Sequence, residues 1–193
     1  MKKKTRFFLV FTFLALFAFA QAPAWKLKVT STVYLKTWSL TTKAVSDEKE
    51  IFGASIKAFK GSAVVAQVTS GGDGNFEIDL PGNGEYVVEV SYSGCNSKRF
   101  TITTSGVPED VTKKEGYNPT FNIKGGFVMC KAYPGIDYSG LKQSLIKASY
   151  EAGARNFDDD EAAKNFGLSI VSKIYADENR LFENFCSVNR AGD

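Results

Sequence analysis

From residue 25 to 36 apolar and polar side chains alternate. Trp25, Leu27, Val29, Val33 and Leu35 fall on one side, and Lys26, Lys28, Thr30, Thr32 and Lys36 on the other. A period of two over that length predicts a half-buried strand. A charged stretch at 46–50 follows, then three further strand-like runs at 53–59, 63–69 and 75–80. Gly71, Gly72, Asp73 and Gly74 connect the last two and supply the positive-φ residues that a tight hairpin turn demands. Pro81, Gly82, Asn83 and Gly84 form a second such turn. It leads into 85–91, where Tyr86, Val88 and Val90 oppose Val87, Glu89 and Ser91; one more run, 98–104, follows Gly94. Short strands every 8 to 12 residues with Gly-rich turns between them predict an antiparallel β-sandwich. Asp73 and Gly74 lack the regular acidic ligands of an EF-hand and read as turn, not as a calcium loop.

The pattern changes in the last third. Residues 120–129 predict a last sandwich strand, bulged or kinked at Gly125 and Gly126. Over 139–152, Leu141, Leu145 and Ala148 fit a helix, while Ile146, Ala148 and Tyr150 fit a strand. From Asp158 a helix is expected through residue 190. Asp158 stands at the N-cap with Glu161 three residues on, and acids crowd the positive end of the helix dipole. Ala162, Phe166, Ile170, Val171, Ile174, Phe182 and Phe185 then recur at steps of three and four, giving one apolar face over about 28 residues. That face is wider than a coiled-coil seam, which favours docking onto the sandwich over self-pairing. Gly167 within it costs about 1 kcal/mol relative to Ala. The expected organisation is therefore a signal segment (1–24), a sandwich (25–130), a connecting segment (131–157) and a C-terminal helix (158–190).

The N-terminus reads as an address. Lys2, Lys3, Lys4 and Arg6 precede an apolar run over 7–20, with small residues at cleavage spacing near Ala20 or Ala24. This is the pattern of a secretory signal peptide, and its apolar run is shorter than the roughly 20 residues a membrane span needs. A soluble periplasmic or secreted chain is expected, with no integral membrane segment after cleavage. No cysteine near the cleavage sites could accept a lipid. The whole chain of 193 residues carries 24 bases and 21 acids. The four bases of the signal segment leave with it, so 20 bases face 21 acids, a net charge of −1. Nothing in that balance points to nucleic acid.

The chain contains no histidine. Ser-His-Asp and Cys-His nucleophiles and His-bearing zinc sites are thereby excluded. Cys95, Cys130 and Cys186 allow at most one intramolecular bridge, and the sequence leaves open which pair, if any, forms it. Only Cys130 is followed directly by a base, Lys131. Asp158 and Asp160 are the one candidate pair for a divalent cation, although helix capping accounts for the same residues. No cofactor is expected.

Several stretches carry a resemblance. Residues 52–56 (Phe-Gly-Ala-Ser-Ile), 68–76 (Val-Thr-Ser-Gly-Gly-Asp-Gly-Asn-Phe) and 86–94 (Tyr-Val-Val-Glu-Val-Ser-Tyr-Ser-Gly) resemble the carboxypeptidase regulatory-like domain. A small pair opens a strand, Thr and Asp-Gly-x-Phe follow, and a strand ends in Ser-x-x-Gly; Cys95 stands where the family usually has Tyr. The likeness covers about residues 48–105. It implies a seven-stranded antiparallel, transthyretin-like β-sandwich. In carboxypeptidases the module accompanies a zinc peptidase, whose metal is held by histidines; elsewhere it is non-enzymatic, on exported proteins and at the N-termini of TonB-dependent transporters. Residues 100–110, 121–123, 133–138 and 156–160 are similar to exported Gram-negative proteins of no established activity, a likeness that also favours an extended 139–152.

The expectation is thus a non-enzymatic envelope module that works by protein–protein contact, through a sheet edge or the helix. The alternative is a carbohydrate-binding module. Its candidates are Trp38, Tyr117, Tyr133 and Tyr138, all in predicted loops, where aromatics can stack on a glycan or anchor packing.

Overall fold

The opening alternation becomes β1 (Lys26–Leu40) in the computed structural model, which describes residues 25–40 and 44–190. The expected signal peptide and its cleavage sites near Ala20 and Ala24 lie outside the described residues. Along β1, Leu27, Val29, Ser31 and Val33 are buried in alternation. The strands that follow are β2 (Ala44–Glu50), β3 (Ser55–Lys60), β4 (Ala63–Thr69), β5 (Asn75–Pro81), β6 (Glu85–Ser91) and β7 (Lys98–Thr103). A single helical turn, α1 (Glu109–Thr112), precedes β8 (Thr120–Asn122) and β9 (Phe127–Met129). A 3₁₀ turn (Ser139–Lys142), β10 (Ser144–Glu151), β11 (Asn156–Asp159) and the long helix α2 (Glu161–Arg190) complete the order.

The protein is mainly β, in two sheets with a C-terminal helix. In the first sheet, β1 lies between β5 and β2 on one side and β8 and β9 on the other. The second has the order β11-β10-β7-β6-β3-β4. The expectation of seven purely antiparallel strands is corrected here. The described residues form five strands in one sheet and six in the other, and β8 and β9 run parallel to β1, as β10 does to β7. Long connections make this possible, because parallel neighbours need a crossover rather than a tight turn. Residues 120–129 are two strands, not one. Gly125 and Gly126 adopt φ of +80° and +68°, and a Cβ on Gly126 would lie 2.6 Å from the Thr32 carbonyl oxygen. Segment 139–152 holds both readings in turn: a 3₁₀ turn that buries Leu141, then a strand.

The core fills the space between the sheets. Leu27, Val29, Ile78, Leu80, Val88, Phe100 and Ile102 are each at most 1% exposed. Phe100 stacks on Phe127 with centroids 5.3 Å apart, which ties the second sheet to β9. Buried hydroxyls fix the turns. Ser70 Oγ accepts the Ala54 N–H at 3.0 Å and donates to the Ile51 carbonyl at 2.6 Å. The 71–74 connection closes as a turn, with Asp73 Oδ1 accepting the Asn75 N–H at 3.1 Å.

The helix begins at Glu161 rather than Asp158. Pairing of β11 with β10 buries Phe157 beside Trp25, so 156–159 extend as strand and the cap moves to Asp160. Its Oδ1 accepts the Ala163 N–H at 2.8 Å. Gly167 has a packing reason. A Cβ there would drive into the Leu145 carbonyl oxygen, so only glycine lets α2 lie this close to β10.

Candidate binding site

The alternation of β1 breaks at Leu35. Beyond it Lys36 is buried, contrary to the solvent-facing position its period assigns. Trp38, expected in a loop, lies on the same strand and shares the parity of Lys36. The reason is α2, which covers this end of β1 and brings an acid with it. Ile170, Ile174, Glu178, Phe182 and Cys186 follow one another at steps of four, so Glu178 sits in the apolar stripe.

Glu178 is fully buried, and its Oε2 lies 3.4 Å from Lys36 Nζ. Its other oxygen, Oε1, accepts the Tyr138 hydroxyl at 3.2 Å. That hydroxyl in turn accepts the Tyr133 N–H at 3.3 Å. Lys36 Nζ also stands 3.6 Å from the Tyr175 ring centroid and 4.8 Å from that of Trp38, close enough for cation–π attraction with both. Phe182 closes the cluster, 4.8 Å from the rings of both Trp38 and Tyr133.

A second buried cation lies beside this pair. Lys98 opens β7 on the face that carries Phe100 and Ile102, and is 4% exposed. Its ammonium makes no hydrogen bond and no ion pair among the described residues, and lies 6.0 Å from the Tyr175 ring centroid. Burial pushes its pKa below the ordinary lysine value, against the pull of Cys130, Glu178 and Glu48. Burial also raises the Cys130 thiol and the Tyr138 and Tyr175 phenols, with the Glu178 charge adding to each. At neutral pH these three groups are protonated. They can donate hydrogen bonds, whereas nucleophilic chemistry would need the thiolate or phenolate.

A cleft of about 920 Å³ opens next to Lys98. It runs between α2 and β10 on one side and the β8–β9 segment on the other. Phe121, Phe127, Leu145, Leu168 and Val171 supply apolar wall, and Lys98, Tyr175 and Glu48 lie at its β9 end. At the opposite end Lys164 is held by Asp159 at 3.2 Å and Glu161 at 3.4 Å.

Three of the four candidate aromatics come together. Trp38, Tyr133 and Tyr138 gather around Phe182 and Glu178, while Tyr117 sits apart with its ring edge-on to Trp25 at 5.4 Å. All four are half-buried and engaged with other side chains of the chain. Asp158 and Asp160 serve the backbone. Asp158 Oδ1 accepts the Asp159 N–H at 2.9 Å and Asp160 caps α2. Among the described residues no group of three or more Cys, Asp and Glu side chains is placed to hold a metal. Cys95 is a half-buried free thiol and Cys130 a buried one, and Cys186 is buried on α2.

Sequence reasoning missed Lys36, Lys98 and Glu178. Two of them carried a signal: Glu178 interrupts an apolar series at helical spacing, and Lys98 heads an alternating core face with Phe100 and Ile102. Among the described residues no helix is long and apolar enough to cross a membrane. Compared with known proteins, the chain matches no family model and no curated protein.

Proposed function

We propose that the chain is an exported, non-enzymatic module of the carboxypeptidase regulatory-like type that binds another envelope protein through a free sheet edge. The observation that carries this reading is β4. It pairs with β3 on one side only and ends the six-stranded sheet. Its sequence, Ala-Val-Val-Ala-Gln-Val-Thr, has neither charge nor proline, the usual means of blunting an edge. Val64 and Val65 are 51% and 41% exposed, and Phe52 in the turn before β3 is 72% exposed. The pairing shifts register between Ala58 and Phe59, opposite Val65, so 66–69 are the regular stretch open to an added strand. The basic and apolar N-terminal segment supports export. The absence of histidine and the protonated thiol and phenols support a binding role.

Glycan stacking on Trp38, Tyr117, Tyr133 and Tyr138 has less support, since each ring already serves packing. The test is a photo-crosslinking residue placed at Gln67, with a control at Lys114, in cells that export the protein. A discrete adduct from position 67 and none from 114 is expected. Absence of an adduct at 67, or the same products from both positions, refutes the edge reading.

A further inference from the structure

The geometry points to a second binding site, apart from the β4 edge: we propose that the cleft beneath α2 takes a single-chain amphiphile with a carboxylate head, the carboxylate on Lys98 and the chain along the groove. The polar end comes first. Lys98 is a lysine 4% exposed, lining the cleft, whose ammonium makes no hydrogen bond and no ion pair among the described residues. Buried charge without a partner is costly, and the structure meets that cost for Lys36 with Glu178 but leaves Lys98 without a matching acid. Glu48 lines the same end of the cleft but stands beyond ion-pair distance. An incoming carboxylate completes what the fold leaves incomplete.

The body of the ligand follows from the walls. The cleft borders α2 from Glu161 to Tyr175, a span of about 20 Å at the helical rise. Phe121, Phe127, Leu145, Leu168 and Val171 give this length an apolar lining. The far end offers an incoming anion no free cation, because Lys164 is held between Asp159 and Glu161. Lys124 also lines the cleft but is exposed to solvent, so the buried Lys98 is the cation that selects an anion with a long apolar chain. Its volume of about 920 Å³ falls in the range of sites that enclose small molecules.

Calorimetric titration with palmitate below its micellar concentration, on the chain without its first 24 residues, tests this. One palmitate per chain is expected. Hexadecyltrimethylammonium, with the same chain and the opposite head charge, should bind at least tenfold more weakly. Lys98→Met should weaken palmitate about 10- to 100-fold, the loss of one charge-assisted contact, and Lys98→Arg should retain binding. Leu168 is 56% exposed, so Leu168→Asp tests the chain-binding wall without disturbing the core. It should weaken palmitate while leaving the unfolding midpoint unchanged. The proposal is overturned if palmitate does not bind, if the cationic amphiphile binds equally well, or if either Lys98→Met or Leu168→Asp leaves palmitate affinity unchanged.

Discussion

Replacing Gly167 with alanine sets two effects of opposite sign against each other. Helix propensity alone favours alanine by about 1 kcal/mol in a helix interior. Contact with β10 opposes it. The new methyl would overlap the Leu145 carbonyl oxygen and lie 2.8 Å from its carbonyl carbon and 3.0 Å from its Cα. These are backbone atoms of a strand, held to β7 at Ser144 and again from Lys147, so they cannot swing away as a side chain would. The helix must lift instead, which loosens the packing of Ile174 against Leu141 and Leu145. Overpacking of this kind costs about 1–3 kcal/mol. With the propensity gain subtracted, a net loss of about 0–2 kcal/mol is expected, or a fall in Tm of up to roughly 8 °C for a chain of this size. Scanning calorimetry of Gly167→Ala beside Ser172→Ala, an exposed position on the same helix, separates the two effects. Ser172→Ala should gain a few tenths of a kcal/mol. A rise in Tm for Gly167→Ala would refute the close approach of α2 to β10.

Lys36→Met leaves Glu178 buried without its cation and should cost about 3–5 kcal/mol, most of it recovered in Lys36→Met/Glu178→Leu; a double-mutant cycle by urea denaturation reads the coupling, and a value near zero would mean that the pair is not held together. Lys98→Met should stabilise the free protein at neutral pH. Burial holds the Lys98 pKa below 10.5. Between its depressed value and 10.5 the unfolded chain binds more protons, so wild-type stability gains from rising pH and the gap between the two proteins narrows. A gap constant from pH 7 to 10.5 contradicts the burial of this ammonium. Ser70→Ala removes both the acceptor of the Ala54 N–H and the donor to the Ile51 carbonyl. It should cost about 1–3 kcal/mol in urea denaturation, with an unchanged m-value.

The strands were legible where a hydrophobic face met a single partner. Runs 63–69 and 85–91 are strands at those bounds: glycine turns flank both, and alternation marks the second. Legibility failed where a later segment decides the environment of an earlier one. Lys36 follows the polar parity of β1 and is buried only because α2 returns over it. Residues 120–129 read as one strand because apolar residues at 121, 123, 127 and 129 keep a strand period across it; the two left-handed glycines divide it. Asp158 looked like a cap because local chemistry allows it, but Phe157 gains more from the core as a strand residue. The cleft had no local signature, for its walls come from β7, β8, β9, β10 and α2. Its buried cation was nonetheless visible as an anomaly, a base on a core face, as was Glu178 of the neighbouring cluster, an acid in a helical stripe.

The pairing of Lys36 with Glu178 has a consequence for the order in which the molecule is assembled. A chain that is made from its N-terminus delivers Lys36 and Lys98 well before the carboxylate that faces Lys36. Until residue 178 arrives, the β1–β7 region carries two cations on surfaces destined for the interior, and β1 also waits for β8 and β9 along one side. Desolvating those cations early is unfavourable, so consolidation is deferred to the arrival of α2. The last helix is therefore a completion signal, and the sheets stay loose until it docks.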